Sequence, residues 1–521
     1  SNGVGDNDCN VAGNWSPSGV PAAGDRIILD ATSTDNLTWS SSCPATVASW
    51  TQTPAYTGTV TFQTTYDSTF PTFSVTGNMS VSGGTLTHTD NSTAETYRLR
   101  IDVDGNFTLS GSITADGLGY AKTQKGPGAP SDVQDGAAHG GIGGTNGGTT
   151  YGSFTEPTNL GSSSNSDGGG AVYITVTGST LVNGTISTNA STSGVDGGGA
   201  GGSVYLKTAT LSGTGIMRAH GGDSGNGWAG GGGGRIAAIL TTGGVDFSNY
   251  AGTMTAYGSD TNTDGAAGTV YQQTGSQTDG SGTLIIDNNN LSPDSSTSTR
   301  IPDGDTWKVE NLTLQNKGRL AVYTGETVIL QRDPTSDSDN TVDGIHLSGG
   351  TVTLSGSTLT IDDWTLTVDG ANTINANITV QPGGNIDHTA NGSSQTNRTN
   401  LTVNGDFTVK SGATVSVLGK GYSVTTNGPG APSSAQDGAS HGGRGGDKDT
   451  SNTSSTYGSI TAPTTVGSSA QHAGGGALQI TATGTGTING TINADANGGS
   501  TNGGGAGGSI YLTLGSITGT G

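Results

Sequence analysis

The chain is poor in most of what an enzyme-like globule is built from. Aromatic residues fill 5% of its 521 positions, charged residues 11% and apolar residues 29%, too few for one large compact core. No run approaches the roughly 18 consecutive apolar residues of a membrane helix, and no heptad pattern marks a coiled coil. Cations are scarce: 18 Lys and Arg stand against 40 Asp and Glu, a net charge of −22. Nucleic acid and membrane insertion are thereby excluded as expectations, since phosphate surfaces require clustered cations. Two cysteines, Cys9 and Cys43, have no further ligand nearby for a zinc centre. A disulfide clasping the N-terminal segment is expected, and with it an oxidising compartment. The chain opens on Ser1-Asn2 without an apolar signal segment, which fits a processed, secreted protein.

What is abundant is glycine, 95 residues against 15 prolines. Short bursts of Val, Ile, Leu and Thr recur between the glycines, such as Thr57–Phe62, Ala171–Gly178 and Arg235–Leu240. Disordered tracts do not maintain such bursts, so the chain reads as folded and rich in β-strand. Self-comparison is more informative. GPGAPSDVQDGAAHGGIGG (Gly126–Gly144) returns as GPGAPSSAQDGASHGGRGG (Gly428–Gly446), and GGTLTHTDN (Gly83–Asn91) as GGNIDHTAN (Gly383–Asn391). GGGAVYITVTG at Gly168 matches GGGALQITATG at Gly474, and GGGAGGSVYL at Gly197 matches GGGAGGSIYL at Gly503. The offset drifts only from about 300 to about 306, the signature of a long internal repeat.

These features predict an all-β right-handed parallel β-helix with long glycine-rich loops, whose thin core suits the low apolar content. A string of β-sandwiches is the other architecture the strands permit. The expected division is a start segment over 1–62 with the disulfide, a first repeat unit over 63–300 and a second over 301–521. The second unit stops at the equivalent of Gly215. An open coil end bearing Ile510 and Leu512 predicts a continuation or a head-to-tail contact between copies.

The two copies share few side chains with chemistry in their large loops: Tyr120/Tyr422, Gln134/Gln436, Asp135/Asp437, His139/His441 and Tyr151/Tyr457. Asp135 with His139, and Asp437 with His441, could form half a metal site or a proton-transfer dyad, yet no shared Ser, Cys or second carboxylate completes either. Their expected role is to structure the loops by satisfying backbone groups. His88 and His388 are expected as hydrogen-bonded corner residues. A polysaccharide lyase would need a Lys or Arg base, but Lys125 corresponds to Asn427 and Arg444 to Ile142. Asp333, Asp337 and Asp339, or Asp260 and Asp264, are candidates for Ca²⁺, without the spacing of an EF-hand. The six tryptophans are scattered and read as core plugs, Trp15, Trp39 and Trp50 beside the cysteines. Sequons at Asn36, Asn91, Asn311 and Asn397 follow from composition.

NWSPSGVPAAGDRIILD (Asn14–Asp30) and ATVASWTQTPAYTGTVTF (Ala45–Phe62), with GGGAGGSIYL, GGGGGRIAAIL (Gly230–Leu240) and GAAGTVYQQTG (Gly265–Gly275), resemble large secreted bacterial surface proteins with glycine-rich parallel β-helix repeats. The resemblance covers most of the chain and implies an exported adhesive or structural protein, and it supplies no catalytic residues to carry over. The expectation is a non-enzymatic extracellular rod, assembling head to tail as a filament or stalk and meeting surface or environmental polysaccharide. The other readings are a β-helical polysaccharide lyase or glycoside hydrolase and a phage-like trimeric fibre. No cofactor is expected beyond Ca²⁺.

Overall fold

A computed structural model describes residues 6–521 except 193–195, 226, 294–296, 338–343, 424, 449–451 and 499–501. The chain forms two compact units, Ser1–Pro302 and Asp303–Gly521. Both are built almost wholly from parallel β-strands, and the described residues include no α-helix. The physical reason is visible in the strands themselves. Thr59–Phe62, Phe73–Val75 and Leu99–Val103 alternate buried with half-buried positions, the period-two pattern of a strand with one apolar face.

In the first unit the chain passes back and forth between two sheets. One contains Arg26–Leu29, Ser49–Gln52, Met79–Val81, Phe107–Leu109, Ala171–Val182, Ser203–Ser212, Arg235–Leu240 and Thr269–Gln273 as successive parallel neighbours. The other contains Leu37–Trp39, Thr59–Phe62, Thr85–His88, Ser112–Thr114, Thr185–Ser187, Ile216–Arg218 and Thr253–Thr255. Register places like on like: Leu37, Val60, Leu86, Ile113, Ile186, Met217 and Met254 follow one another across the second sheet. Six of these seven are buried. A one-residue slip would turn the whole row outward, so the apolar row itself fixes the register.

The start of this unit is plugged by aromatics. Trp39 and Trp50 are fully buried with ring centroids 5.2 Å apart, and Phe62 and Phe73 lie 4.8 Å from each other against them. Trp15 meets Trp39 edge-on at 6.2 Å and donates from Nε1 to the Cys9 carbonyl. Cys9 and Cys43 are joined in a disulfide beside this cluster. Trp307 and Trp364 are buried in the second unit, whereas Trp228 is 44% exposed.

The second unit repeats the pattern. Thr306–Val309, Thr327–Leu330, Thr351–Ile361, Gly370–Val380, Thr399–Val403, Ala477–Ile488 and Ser509–Thr518 are parallel neighbours. Even an irregularity recurs. Register shifts between Val176 and Ser179 in Ala171–Val182, and between Ala482 and Thr485 in Ala477–Ile488. Each break lies against the next long strand, whereas on its other side each long strand pairs in one unbroken register with two short ones, Leu99–Val103 and Phe107–Leu109 in the first unit, Thr399–Val403 and Phe407–Val409 in the second.

Candidate functional site

In the first unit the glycine-rich stretches 197–202 and 230–234 are buried throughout, while the longer segment 121–170 mixes buried with exposed positions. They run as extended chains that are hydrogen-bonded sideways to one another. Gly169 N–H donates to Ala200 O at 2.9 Å, Ala200 to Ser162 at 2.9 Å, Gly201 to Gly232 at 3.0 Å, Gly232 to Ala137 at 2.9 Å and Ala137 to Gly198 at 2.9 Å. The bonds pass from segment to segment and form a lattice. At the positions that face a neighbouring chain only glycine fits: a methyl group at Gly198 would overlap the Gly222 carbonyl oxygen. The second unit holds a smaller version, in which Gly475 N–H reaches Ala506 O and Ala506 N–H reaches Ser468 O, both at 2.9 Å.

The shared side chains lie around this lattice. His139 is fully buried, its Nδ1 2.8 Å from Gly201 O and its ring 4.6 Å from that of Tyr151. His441 repeats both contacts, with Gly507 O at 2.8 Å and Tyr457 at 4.6 Å. A carbonyl only accepts, so in both rings Nδ1 carries the proton. Tyr151 donates to Leu160 O at 2.5 Å and accepts from Ser162 Oγ at 2.8 Å, and Ser162 Oγ accepts the Gly128 N–H at 2.9 Å. Tyr457, Val466, Ser468 and Gly430 reproduce this chain of bonds at 2.6, 2.8 and 2.9 Å. Tyr120 and Tyr422 act through their backbones: their carbonyls accept from Gly168 and Gly474, and their N–H groups donate to Gly161 and Gly467.

Burial, with the Arg235 charge nearby, lowers the His139 pKa to about 3. Burial raises that of Tyr120 to about 12. Arg235 itself is fully buried. It donates from Nε to Tyr151 O at 2.8 Å, from Nη2 to His139 O at 3.4 Å and from Nη1 to Thr269 Oγ1 at 3.3 Å.

The remaining candidates are spread among other tasks. Ser164 Oγ donates to the Asp135 carbonyl at 2.7 Å, and Asp437 Oδ1 accepts the Lys448 N–H at 2.9 Å. Gln134 O accepts from Ala229 N–H, while the Gln436 side chain accepts from Lys448 Nζ. Among the described residues, the one group of three or more His, Cys, Asp or Glu ligand atoms close enough for a metal is Asp8, Cys9 and Cys43. Both of its thiols are spent in the disulfide. Asp264 accepts from Thr261 and Ser292 amides at 3.0 and 2.7 Å, and Asp337 from the Asn316 amide at 2.9 Å. Asp339 lies outside the described residues.

His88 and His388 share one geometry. Nδ1 lies 2.8 Å from the carbonyl of the next residue, Thr89 or Thr389, and Nε2 accepts the N–H of Ala171 at 3.2 Å or Ala477 at 3.1 Å. Burial lowers the His88 pKa to about 4. Three residues on, Asn91 and Asn391 do comparable work that side-chain chemistry alone did not single out. Each amide donates twice, to Tyr97 and Leu118 carbonyls or to Asn397 and Lys420 carbonyls, all at 2.9 Å. Each Oδ1 accepts two backbone N–H groups. The signal was present in the matched HTDN and HTAN, and the burial of Asn91 removes its sequon from the surface. Glu95 and Gln395 were also missed; they anchor the loop by accepting the N–H of Leu160 at 3.0 Å and of Val466 at 3.2 Å.

No family model, curated protein or solved structure matches this chain.

Proposed function

We propose that this chain is an extracellular structural surface protein, a right-handed parallel β-helix stiffened by hydrogen-bonded glycine segments, of the adhesive or fibre-forming kind that its sequence resembles. One observation carries the reading. The side chains that both units keep in their glycine segments, His139/His441 at Nδ1, Tyr151/Tyr457 and Ser162/Ser468, repeat the same bonds to backbone groups or to each other, the histidines differing only at Nε2, which meets Thr465 Oγ1 in His441 alone. Conserving a geometry for support differs from presenting a nucleophile, base and oxyanion donors to a substrate. The handedness follows from the strong preference for right-handed connections between parallel strands. Two cysteines joined beside the N-terminal aromatics, and an acidic composition, support an exported location.

The test is incubation of the purified chain with neutral and anionic polysaccharides, with and without Ca²⁺. No new reducing ends or unsaturated products are expected above a heat-inactivated control. Product formation abolished by substituting one Lys or Arg would overturn the reading in favour of a lyase.

A further inference from the structure

Cations are outnumbered in this chain, 18 against 40 acids, so an arginine should readily find a carboxylate. Two neighbouring arginines of the first unit do not. Their strand, Leu99–Val103, is central, paired with Phe73–Val75 on one side and Ala171–Val182 on the other. Leu99, Ile101 and Val103 are buried, and alternation therefore sends Arg98, Arg100 and Asp102 to the outer face, about 7 Å apart in succession. The Nε of Arg98 and that of Arg100 are buried without a hydrogen-bond partner, and neither guanidinium is in an ion pair of the described residues. Tyrosines hold them instead. Cζ of Arg98 stands 4.5 Å from the centre of the Tyr66 ring and 5.9 Å from that of Tyr173, and Cζ of Arg100 stands 4.8 Å from that of Tyr173. Tyr173 is itself stacked on Tyr205 at 4.5 Å and donates to Glu156 Oε1 at 2.7 Å. Arg98 is 8% exposed, while Arg100 is half-buried.

The second unit does without this arrangement. There Arg98 recurs as Arg398, but Asn400 lies opposite Gln479 where Arg100 lies opposite Tyr173, and Ala462 stands in the place of Glu156. Support of the fold is therefore not its purpose. A guanidinium over a ring face keeps its charge and its in-plane N–H donors, so the tyrosines fix the two forks without using them up. We propose that Arg98 and Arg100 form a binding site for the carboxylate of an acidic sugar, a uronate, whose hydroxyls are taken by Glu156 and Asp102. Guanidinium and carboxylate match as paired forks. The neighbouring acids select the rest of the ligand. Glu156 is exposed beside the Tyr173 hydroxyl, and Asp102 accepts from the Thr175 hydroxyl, so both face donors already. Together with a net charge of −22 they repel nucleic acid and other polyphosphates. A peptide strand has no edge to join here, because Leu99–Val103 is paired on both sides.

This proposal rests on the reading of the chain as an adhesive surface protein, but it fails separately. The probe is glucuronate, titrated against the full chain by ligand-observed NMR beside glucose, acetate, inorganic sulfate and a tetraglutamate peptide. Saturable binding of glucuronate is expected, at least tenfold tighter than that of each of the others. Arg100→Asn and Tyr173→Gln reproduce the residues of the second unit, which that fold accommodates. Each should weaken binding at least fivefold while the urea midpoint matches the parent. Lys410→Gln, at an exposed lysine of the second unit, should leave binding unchanged. Acetate or sulfate bound as tightly as glucuronate would mean that the arginines read charge alone and would overturn the proposal. So would tighter binding of the peptide, an unchanged affinity in both arginine and tyrosine variants, or no binding of glucuronate. A chain that ignores glucuronate and also leaves polysaccharide intact would refute the sugar site alone.

Discussion

At the scale of single residues, the titratable groups of the fold are held in the form that best serves the backbone. His88 must be neutral: protonation would put a second N–H against the Ala171 N–H that Nε2 accepts. Its pKa falls from 6.5 to about 4 on burial, so folding favours the unprotonated ring. The associated stability is fully present above pH ~6.5 and is lost as pH falls toward the folded pKa, with a magnitude of roughly 3 kcal/mol. His139 and His220 are lowered in the same sense, to about 3 and about 4, burial being the largest cause in each. The urea midpoint should therefore drop steadily between pH 7 and pH 4.5. A His88→Gln variant, which can donate and accept without titrating, should show a shallower drop. An identical slope in that variant would remove His88 from the account.

At the scale of elements, strands and glycine segments are stabilised by different physics and were unequally legible. Strands such as Thr59–Phe62 and Ser203–Ser212 announce themselves because every second residue is apolar. The matched histidines and tyrosines were visible for a similar reason, as side chains retained at one offset. The glycine lattice was not, because glycine has no side chain whose periodicity could reveal a partner, and its bonds join positions as distant as Ala137 and Gly232. Arg235 was not legible because the comparison of copies keeps only what occurs twice, and the matching position falls outside the 521 residues. Gly198 and Gly504 separate lattice packing from glycine content. A methyl group at Gly198 overlaps the Gly222 carbonyl, whereas one at Gly504 meets nothing within 4 Å. Gly198→Ala should cost on the order of 1–3 kcal/mol, and Gly504→Ala should stay within about 0.5 kcal/mol of the parent. Equal effects in denaturant titrations would show that the lattice is not packed as described.

At the scale of the whole molecule, the shortage of apolar residues acquires an explanation. Each unit has a thin apolar row between its sheets, while a second interior is made of backbone, satisfied by its own hydrogen bonds. Buried peptide groups are costly unless paired. The glycine segments pair them at a density that side chains would prevent. The histidine, tyrosine, serine and asparagine residues at their margins then serve as fasteners for the few groups the lattice leaves over. This division of labour is the central claim, and native-state hydrogen exchange tests it most directly. If it holds, the amides of residues 197–202 and 230–234 exchange as slowly as those of the strand Ser203–Ser212. Exchange at the rate of an unstructured peptide, with the strands still protected, would contradict it.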